Sequence, residues 1–217
     1  MRVYIGECRG KKFKEATALG FGICVSPQTF RAPKSPPNFY FVDNGAFYKW
    51  KRQERFSGWE FRSFLRKVLE SYPFLPDFVV IPDVVADSEA TVKSFLKWYP
   101  ELKQLISIDR LAFVVQDGME REEVVELLSK HPVGYLFVGG SLEWKLLTGR
   151  VWVEVARELS IKCHIGRVGT PRRVTWAKVI GADSIDSSLP LFSRAKWRRF
   201  VRAVTQEVLF SGGEYVR

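Results

Sequence analysis

The stretch Cys163-His-Ile-Gly-Arg-Val-Gly-Thr-Pro-Arg-Arg-Val-Thr-Trp-Ala-Lys-Val-Ile-Gly-Ala-Asp-Ser-Ile-Asp186 reads as a complete β-α-β unit. A short apolar strand, Cys163 to Ile165, passes through a turn into a segment of helical spacing, Pro171 to Ile180, and then into a second strand, Ser184 to Ile185. Alternation of this kind extends back along the chain. Further β-rich runs fall at Val3 to Ile5, Phe39 to Val42, Phe78 to Ile81, Phe113 to Val115 and Tyr135 to Val138. Helical spacing marks Trp59 to Ser71, Ser88 to Trp98, Arg121 to Lys130, Glu143 to Leu159 and Ser193 to Leu209. Residues Gly20 to Val25 supply one more strand, which brings the count to the eight of a closed barrel. The expected fold is therefore α/β, a compact TIM-like (β/α)8 barrel spanning residues 1–217 as one domain, with a doubly wound open sheet as the alternative. Ser26 to Asn38, with Pro27, Pro33, Pro36 and Pro37, reads as a loop within that domain, and no internal repeat interrupts the pattern.

The bulk properties agree with one folded domain, since 46% of the 217 residues are hydrophobic. Lys and Arg number 34 against 24 Asp and Glu, a formal charge of +10, which points to a polyanionic partner and to nucleic acid first. No apolar run approaches the roughly 20 residues that span a bilayer, and the start Met1-Arg-Val-Tyr-Ile-Gly lacks the order of a signal peptide. A cytoplasmic protein without membrane contact is the expectation. Cys8, Cys24 and Cys163 are too few and too irregularly spaced for a disulfide framework, which fits a reducing compartment.

Polar residues cluster where the strand-like runs end, the edge at which a parallel barrel carries its active site. Five such ends are Asp43-Asn-Gly-Ala-Phe47, Pro82-Asp83, Gln116-Asp-Gly118, Gly139-Gly-Ser141 and Asp183-Ser-Ile-Asp186. Any one alone reads as a turn or a helix cap. Together they bring three carboxylates and a carboxamide to one rim, which turns would not require.

In these residues and their order the chain resembles the tRNA-guanine transglycosylase family, from about Asp43 to Arg194. Asp43-Asn-Gly-Ala-Phe47 is similar to the family's Asp-Ser-Gly-Gly-Phe turn, which implies for Asp43 a carboxylate near the exchanged base. Asp83 in Val80-Ile-Pro-Asp83 matches the carboxylate that binds the polar edge of guanine. Val115-Gln-Asp-Gly118 resembles a Val-Gln-Gly-Gly segment, making Gln116 the amide contact. Gly139-Gly-Ser-Leu142 is similar to a Gly-Gly-Leu strand end, where backbone N–H groups of Gly139 and Gly140 would approach the base. The longest match joins His164-Ile-Gly-Arg-Val-Gly-Thr-Pro171 to Gly181-Ala-Asp-Ser-Ile-Asp186. It implies that Asp186 is the covalent nucleophile and leaves Asp183 a supporting role.

The chemistry needs these groups. Breaking an N-glycosidic bond develops positive charge at the sugar C1′, which a carboxylate beneath that carbon stabilises and then captures. A second carboxylate, Asp43, would protonate the departing guanine and deprotonate an incoming 7-deazaguanine. Guanine offers donors at N1 and N2 and an acceptor at O6, which a carboxylate and an amide read. No cofactor is expected.

The family's zinc site needs three Cys and a His after the nucleophile strand, and here no Cys follows Cys163 and no His follows His164, so no such zinc subdomain is expected. Cys163 and His164 point to opposite faces of a strand and are expected to be a core thiol and a rim or internally satisfied imidazole, with no metal. A compact, basic, zinc-free chain resembles the branch that inserts 7-deazaguanines into DNA more than the enzymes that act on tRNA. Partners implied are DNA (or tRNA) and a free 7-deazaguanine base, with an accessory protein or a homodimer left open. Phosphate contacts are expected from Lys49, Lys51, Arg52, Arg167, Arg172, Arg173 and Arg194, and Phe47 or Trp50 could stack on a base. The target nucleotide would have to leave its stack. A base-releasing hydrolase using Asp186 and a non-catalytic nucleic-acid-binding subunit are the competing readings.

Overall fold

Eight parallel strands close on themselves in chain order: β1 (Arg2–Gly6), β2 (Gly22–Val25), β3 (Tyr40–Val42), β4 (Val79–Val80), β5 (Leu111–Val115), β6 (Tyr135–Val138), β7 (Lys162–Ile165) and β8 (Ser184–Ser187). The computed structural model describes residues 1–32 and 34–207. The open sheet is excluded by the pairing of β1 with β8, in which Arg2 meets Ser184 and Tyr4 meets Asp186.

Period-2 alternation sorts the strand side chains into two apolar layers. Tyr4, Phe41, Phe78, Val80, Ala112, Val114, Tyr135 and Phe137 fill the barrel interior. Their neighbours, among them Val3, Ile5, Ile23, Val42, Val79, Phe113, Leu136, Cys163 and Ile185, face outward under the helices. Large aromatics close the lower part of the interior: Phe41 stacks on Phe78 at 4.5 Å, and Tyr4 meets Phe41 edge-on at 4.9 Å. The Tyr4 hydroxyl donates to Asp77 at 2.6 Å below them. Only the C-terminal end of the barrel is left for polar chemistry.

Helices surround the strands, eight of them among the described residues: α1 (Gly10–Ala18), α2 (Ala46–Lys51), α3 (Gly58–Ser71), α4 (Ser88–Leu105), α5 (Arg121–Lys130), α6 (Leu142–Glu158), α7 (Pro171–Ile180) and α8 (Arg194–Thr205). They are not one per strand. Among the described residues β2 joins β3 through the proline-containing loop without a helix, whereas β3 is followed by both α2 and α3. Pro33 of that loop, and the last expected residues of the final helix, 208–209, lie outside the described residues.

Two helices escape the sequence pattern because they bury almost nothing. In α1 only Ala16 is buried, with Phe13 partly packed on the core, and in α2 only Ala46, so each offers one or two apolar anchors and no longer repeat. Helix α4 runs beyond Trp98, through Pro100, because the continuation buries Tyr99 and Leu102. Asp183 also differs from its expected position at a strand end. It precedes β8, and its carboxylate accepts from the Cys163 N–H at 2.8 Å, tying β7 to β8 away from the rim.

Candidate active site

Each strand from β3 to β8 delivers one short polar segment to the same end of the barrel. Asp43, Asn44, Asp83, Gln116, Gly139, Gly140, Arg167 and Asp186 line one cavity, with Phe47, Val80, Val85, Val114 and Phe137 as its apolar walls. Of the expected site residues, the two carboxylates assigned to chemistry and the four residues assigned to the base are therefore brought together.

Asp186 stands inward on β8 with its side chain 13% exposed. Its Oδ1 receives two contacts: His164 Nε2 at 3.2 Å and the backbone N–H of Arg167 at 3.0 Å. Its Oδ2 has no hydrogen-bond partner among the described residues. His164 is fully buried inside the barrel, ringed by Phe137 at 4.7 Å, Phe41 at 5.0 Å and Phe78 at 5.2 Å. Burial lowers its pKa against the opposing pull of Asp186, so the imidazole is neutral. A neutral ring carries one N–H, and the carboxylate oxygen facing it is taken as the acceptor. That N–H is on Nε2, and Nδ1, 2.8 Å from Ser184 Oγ, accepts the serine proton.

Asp83 is held differently. Its Oδ1 accepts from Asn44 Nδ2 at 2.7 Å and its Oδ2 from Gln116 Nε2 at 2.5 Å. Burial still raises its pKa, outweighing these two bonds. The Gln116 carbonyl oxygen accepts from the N–H of Ala86 at 3.1 Å and of Gly140 at 2.9 Å. Both Ala86 and Arg167 have positive φ, 59° and 60°, unusual for residues with a side chain. In both cases the backbone N–H donates to a site side chain.

The glycine pair departs from expectation. The Gly139 N–H donates to Val115 O at 3.0 Å and the Gly140 N–H to Gln116, so neither is free for a base. Their value is absence of bulk: a Cβ on Gly139 would lie 2.8 Å from Val114, and one on Gly140 2.5 Å from Asp117 Oδ2.

Asp43 follows β3, its Oδ1 accepting from the Gly45 N–H at 2.6 Å. Burial pushes its pKa up to about 7, with Asp186 and Asp83 adding to the shift and Arg167 opposing it. It can hold or release a proton near neutrality.

Among the expected basic residues only Arg167 enters the cavity. Its guanidinium donates to Gly140 O and lies 3.9 Å over the Phe47 ring, which stacks on Trp50 at 5.7 Å. Lys49 is paired with Glu54 and Glu60, each at 3.2 Å, and Arg52 with Glu54 at 2.6 Å. Lys51, on the same short helix, is exposed. Arg172 and Arg173 occupy the first turn of α7 and Arg194 that of α8. Helices α3 to α6 each carry a Glu in the first turn, but α1, α7 and α8 carry no acid there. Cations at a helix N-terminus oppose its dipole, so Arg172, Arg173 and Arg194 gain nothing from the helices that carry them.

No protein-family model and no curated protein matches the chain. Among the described residues no group of three or more His, Cys, Asp or Glu is placed to hold a metal, and no helix is long and apolar enough to cross a membrane.

Three participants were not assigned a role in the site from sequence: Asn44, His164 as the support of Asp186, and Lys145. Asn44 adjoins Asp43, and strand alternation puts His164 on the same face as Gly166. Lys145, buried at 3% exposure within α6, has no sequence signal, since a lysine on an amphipathic helix ordinarily points to water.

Proposed function

We propose that this chain is a guanine transglycosylase, a cytoplasmic enzyme that exchanges guanine in nucleic acid for a 7-deazaguanine through an Asp186–sugar intermediate. One observation carries the reading: three carboxylates in one cavity have three different environments. Asp186 has one oxygen fixed and one without a partner, Asp43 titrates near neutrality, and Asp83 is clamped between two amides.

In the first half-reaction Oδ2 of Asp186 bonds to C1′ as the C1′–N9 bond breaks. The electron pair leaves on guanine, and the proton of Asp43 neutralises it. In the second, Asp43 takes the N9 proton of the incoming base, N9 bonds to C1′, and Asp186 departs as carboxylate. Asp83 accepts from the N1 and N2 donors of the base. Gln116 keeps one N–H of Nε2 unassigned to protein, enough for O6 or N7. A base lacking these groups leaves buried partners unpaired, which supports strong discrimination.

Arg172 and Arg173 in the first turn of α7 and Arg194 in that of α8 support a phosphate backbone as the partner. The polymer is DNA or tRNA, and the test below tells them apart. The stacked Arg167, Phe47 and Trp50 support an extruded or single-stranded target.

The test incubates the protein with guanine-labelled single-stranded DNA, duplex DNA or tRNA, with and without a 7-deazaguanine. Label release coupled to base incorporation supports the reading, and the polymer that gains the base is the substrate. Release without incorporation identifies a hydrolase. No release from any polymer, with salt-sensitive binding retained, identifies a binding subunit.

A further inference from the structure

Lys145 turns inward from α6, and its Nζ donates to the carbonyl of Gly166 at 2.6 Å. The same peptide group, through the N–H of Arg167, donates to Oδ1 of Asp186 at 3.0 Å. One amide thus has an ammonium on its oxygen and a carboxylate on its nitrogen. A cation at the carbonyl polarises the amide and strengthens its N–H as a donor, since hydrogen bonds in series reinforce one another away from water.

The surroundings leave this peptide little freedom. Arg167 has φ 60°, a conformation unfavourable for a residue with a side chain and kept only where neighbours impose it. Gly166 has no room for a side chain, because a Cβ there would lie 2.7 Å from the Phe137 ring. The backbone N–H of Val168 is committed to Asp186 O at 2.7 Å. On the carbonyl side, the contact that fixes the plane of the peptide is Lys145.

We propose that Lys145 is a positioning residue for Asp186: it holds the Gly166–Arg167 peptide so that its N–H stays on Oδ1 and Oδ2 is left for the reacting carbon. This rests on the reading of Asp186 as nucleophile. The charge on Lys145 is finely set. Burial brings its pKa down to about 7, Arg167 on the β7–α7 connection and Arg173 on α7 push the same way, and Asp186 on β8 and Asp117 after β5 oppose them. The neighbouring His164 on β7 is neutral. The amide is therefore the stronger donor to Asp186 below neutral pH.

The experiment uses the whole chain with 13C in the glycine carbonyls and 15N in the arginines. The sequence contains two Gly–Arg pairs, Gly149–Arg150 in α6 and Gly166–Arg167, so the paired-label NMR spectrum contains two amide signals, the first reporting whether α6 is intact. In the wild type the Arg167 amide proton should shift with a midpoint near pH 7. Lys145→Met should abolish that step while the Arg150 signal stays in place, and Lys145→Arg should hold the signal near its low-pH position throughout. In parallel, trapping of the Asp186 adduct should slow on the order of 100-fold in Lys145→Met, with KM for the free base unchanged and most of the rate restored in Lys145→Arg. An Arg167 signal indifferent to Lys145→Met, or adduct formation at the wild-type rate in that variant, would overturn the proposal. If the wild type forms no adduct while the amide response is present, the nucleophile assignment fails and the hold of Lys145 on the Asp186 peptide is upheld.

Discussion

His164 Nε2 reaches Oδ1 of Asp186 at 3.2 Å from inside an aromatic barrel, where the imidazole stays neutral. The pair is therefore a hydrogen bond and not an ion pair, and it orients the carboxylate without cancelling its charge. Asp186→Ala should abolish adduct formation altogether. His164→Leu, which keeps the interior filled, should leave the protein folded by circular dichroism and lower the adduct rate roughly 100-fold, the scale of losing one preorganised donor.

On the proposed reaction, Asp43 should set the pH dependence of guanine release. Its pKa is raised to about 7, so the protonated form needed to neutralise the leaving base is lost as pH rises through that value. Single-turnover release should fall above pH 7, and Asp43→Asn should be slow at every pH. Stability has the same sign. A carboxyl whose folded pKa exceeds its unfolded one stabilises most at low pH and loses that contribution as pH rises to the folded value. Asp43→Asn should raise Tm more at pH 8 than at pH 5, measured by scanning calorimetry.

The Asn44–Asp83–Gln116 clamp should govern base affinity and not bond cleavage. Gln116→Leu removes the N–H on Asp83 and orphans the N–H groups of Ala86 and Gly140. KM for a free 7-deazaguanine should rise about 10–100-fold, equivalent to about 1.4–2.7 kcal/mol. Discrimination against adenine should fall in the same variant, as read by competition.

Gly140→Ala tests the rim backbone. The added Cβ would meet Asp117 Oδ2 at 2.5 Å on a residue with φ 69°. Denaturant unfolding should show a loss of about 1–3 kcal/mol.

Basic residues should divide by pairing. Lys49 and Arg52 already hold Glu54, whereas Arg172 and Arg194 start helices that carry no acid in the first turn. Arg172→Ala with Arg194→Ala should weaken nucleic-acid binding and flatten the plot of log affinity against log salt by about 0.7–0.9 for each phosphate no longer neutralised. Lys49→Ala should change the slope little. Fluorescence anisotropy over a salt series distinguishes them.

The barrel was legible in the sequence because most strands are short apolar runs and each long helix has an apolar stripe; β8, Ser184–Ser187, showed only as Ile185 beside its polar neighbours. The residues that share the cavity were legible as a set, since Asp43, Asp83, Gln116 and Asp186 each stand where an apolar strand run gives out. What escaped were groups whose role depends on tertiary direction. Lys145 looks like any helical lysine until the barrel turns it toward Gly166. The N–H groups of Gly139 and Gly140, expected to meet the base, were claimed by Val115 and Gln116, because backbone donors buried at a strand end must find partners within the protein.

Strand β4 is two residues long, and it joins β3 through the N–H of Asp77 on Tyr40 O at 2.7 Å and of Val42 on Phe78 O at 2.9 Å. That seam runs directly below the bond from Asn44 to Asp83. The barrel wall is stitched most sparsely where two of its site carboxylates stand side by side, so amide exchange should begin there before the β5–β6 wall opens.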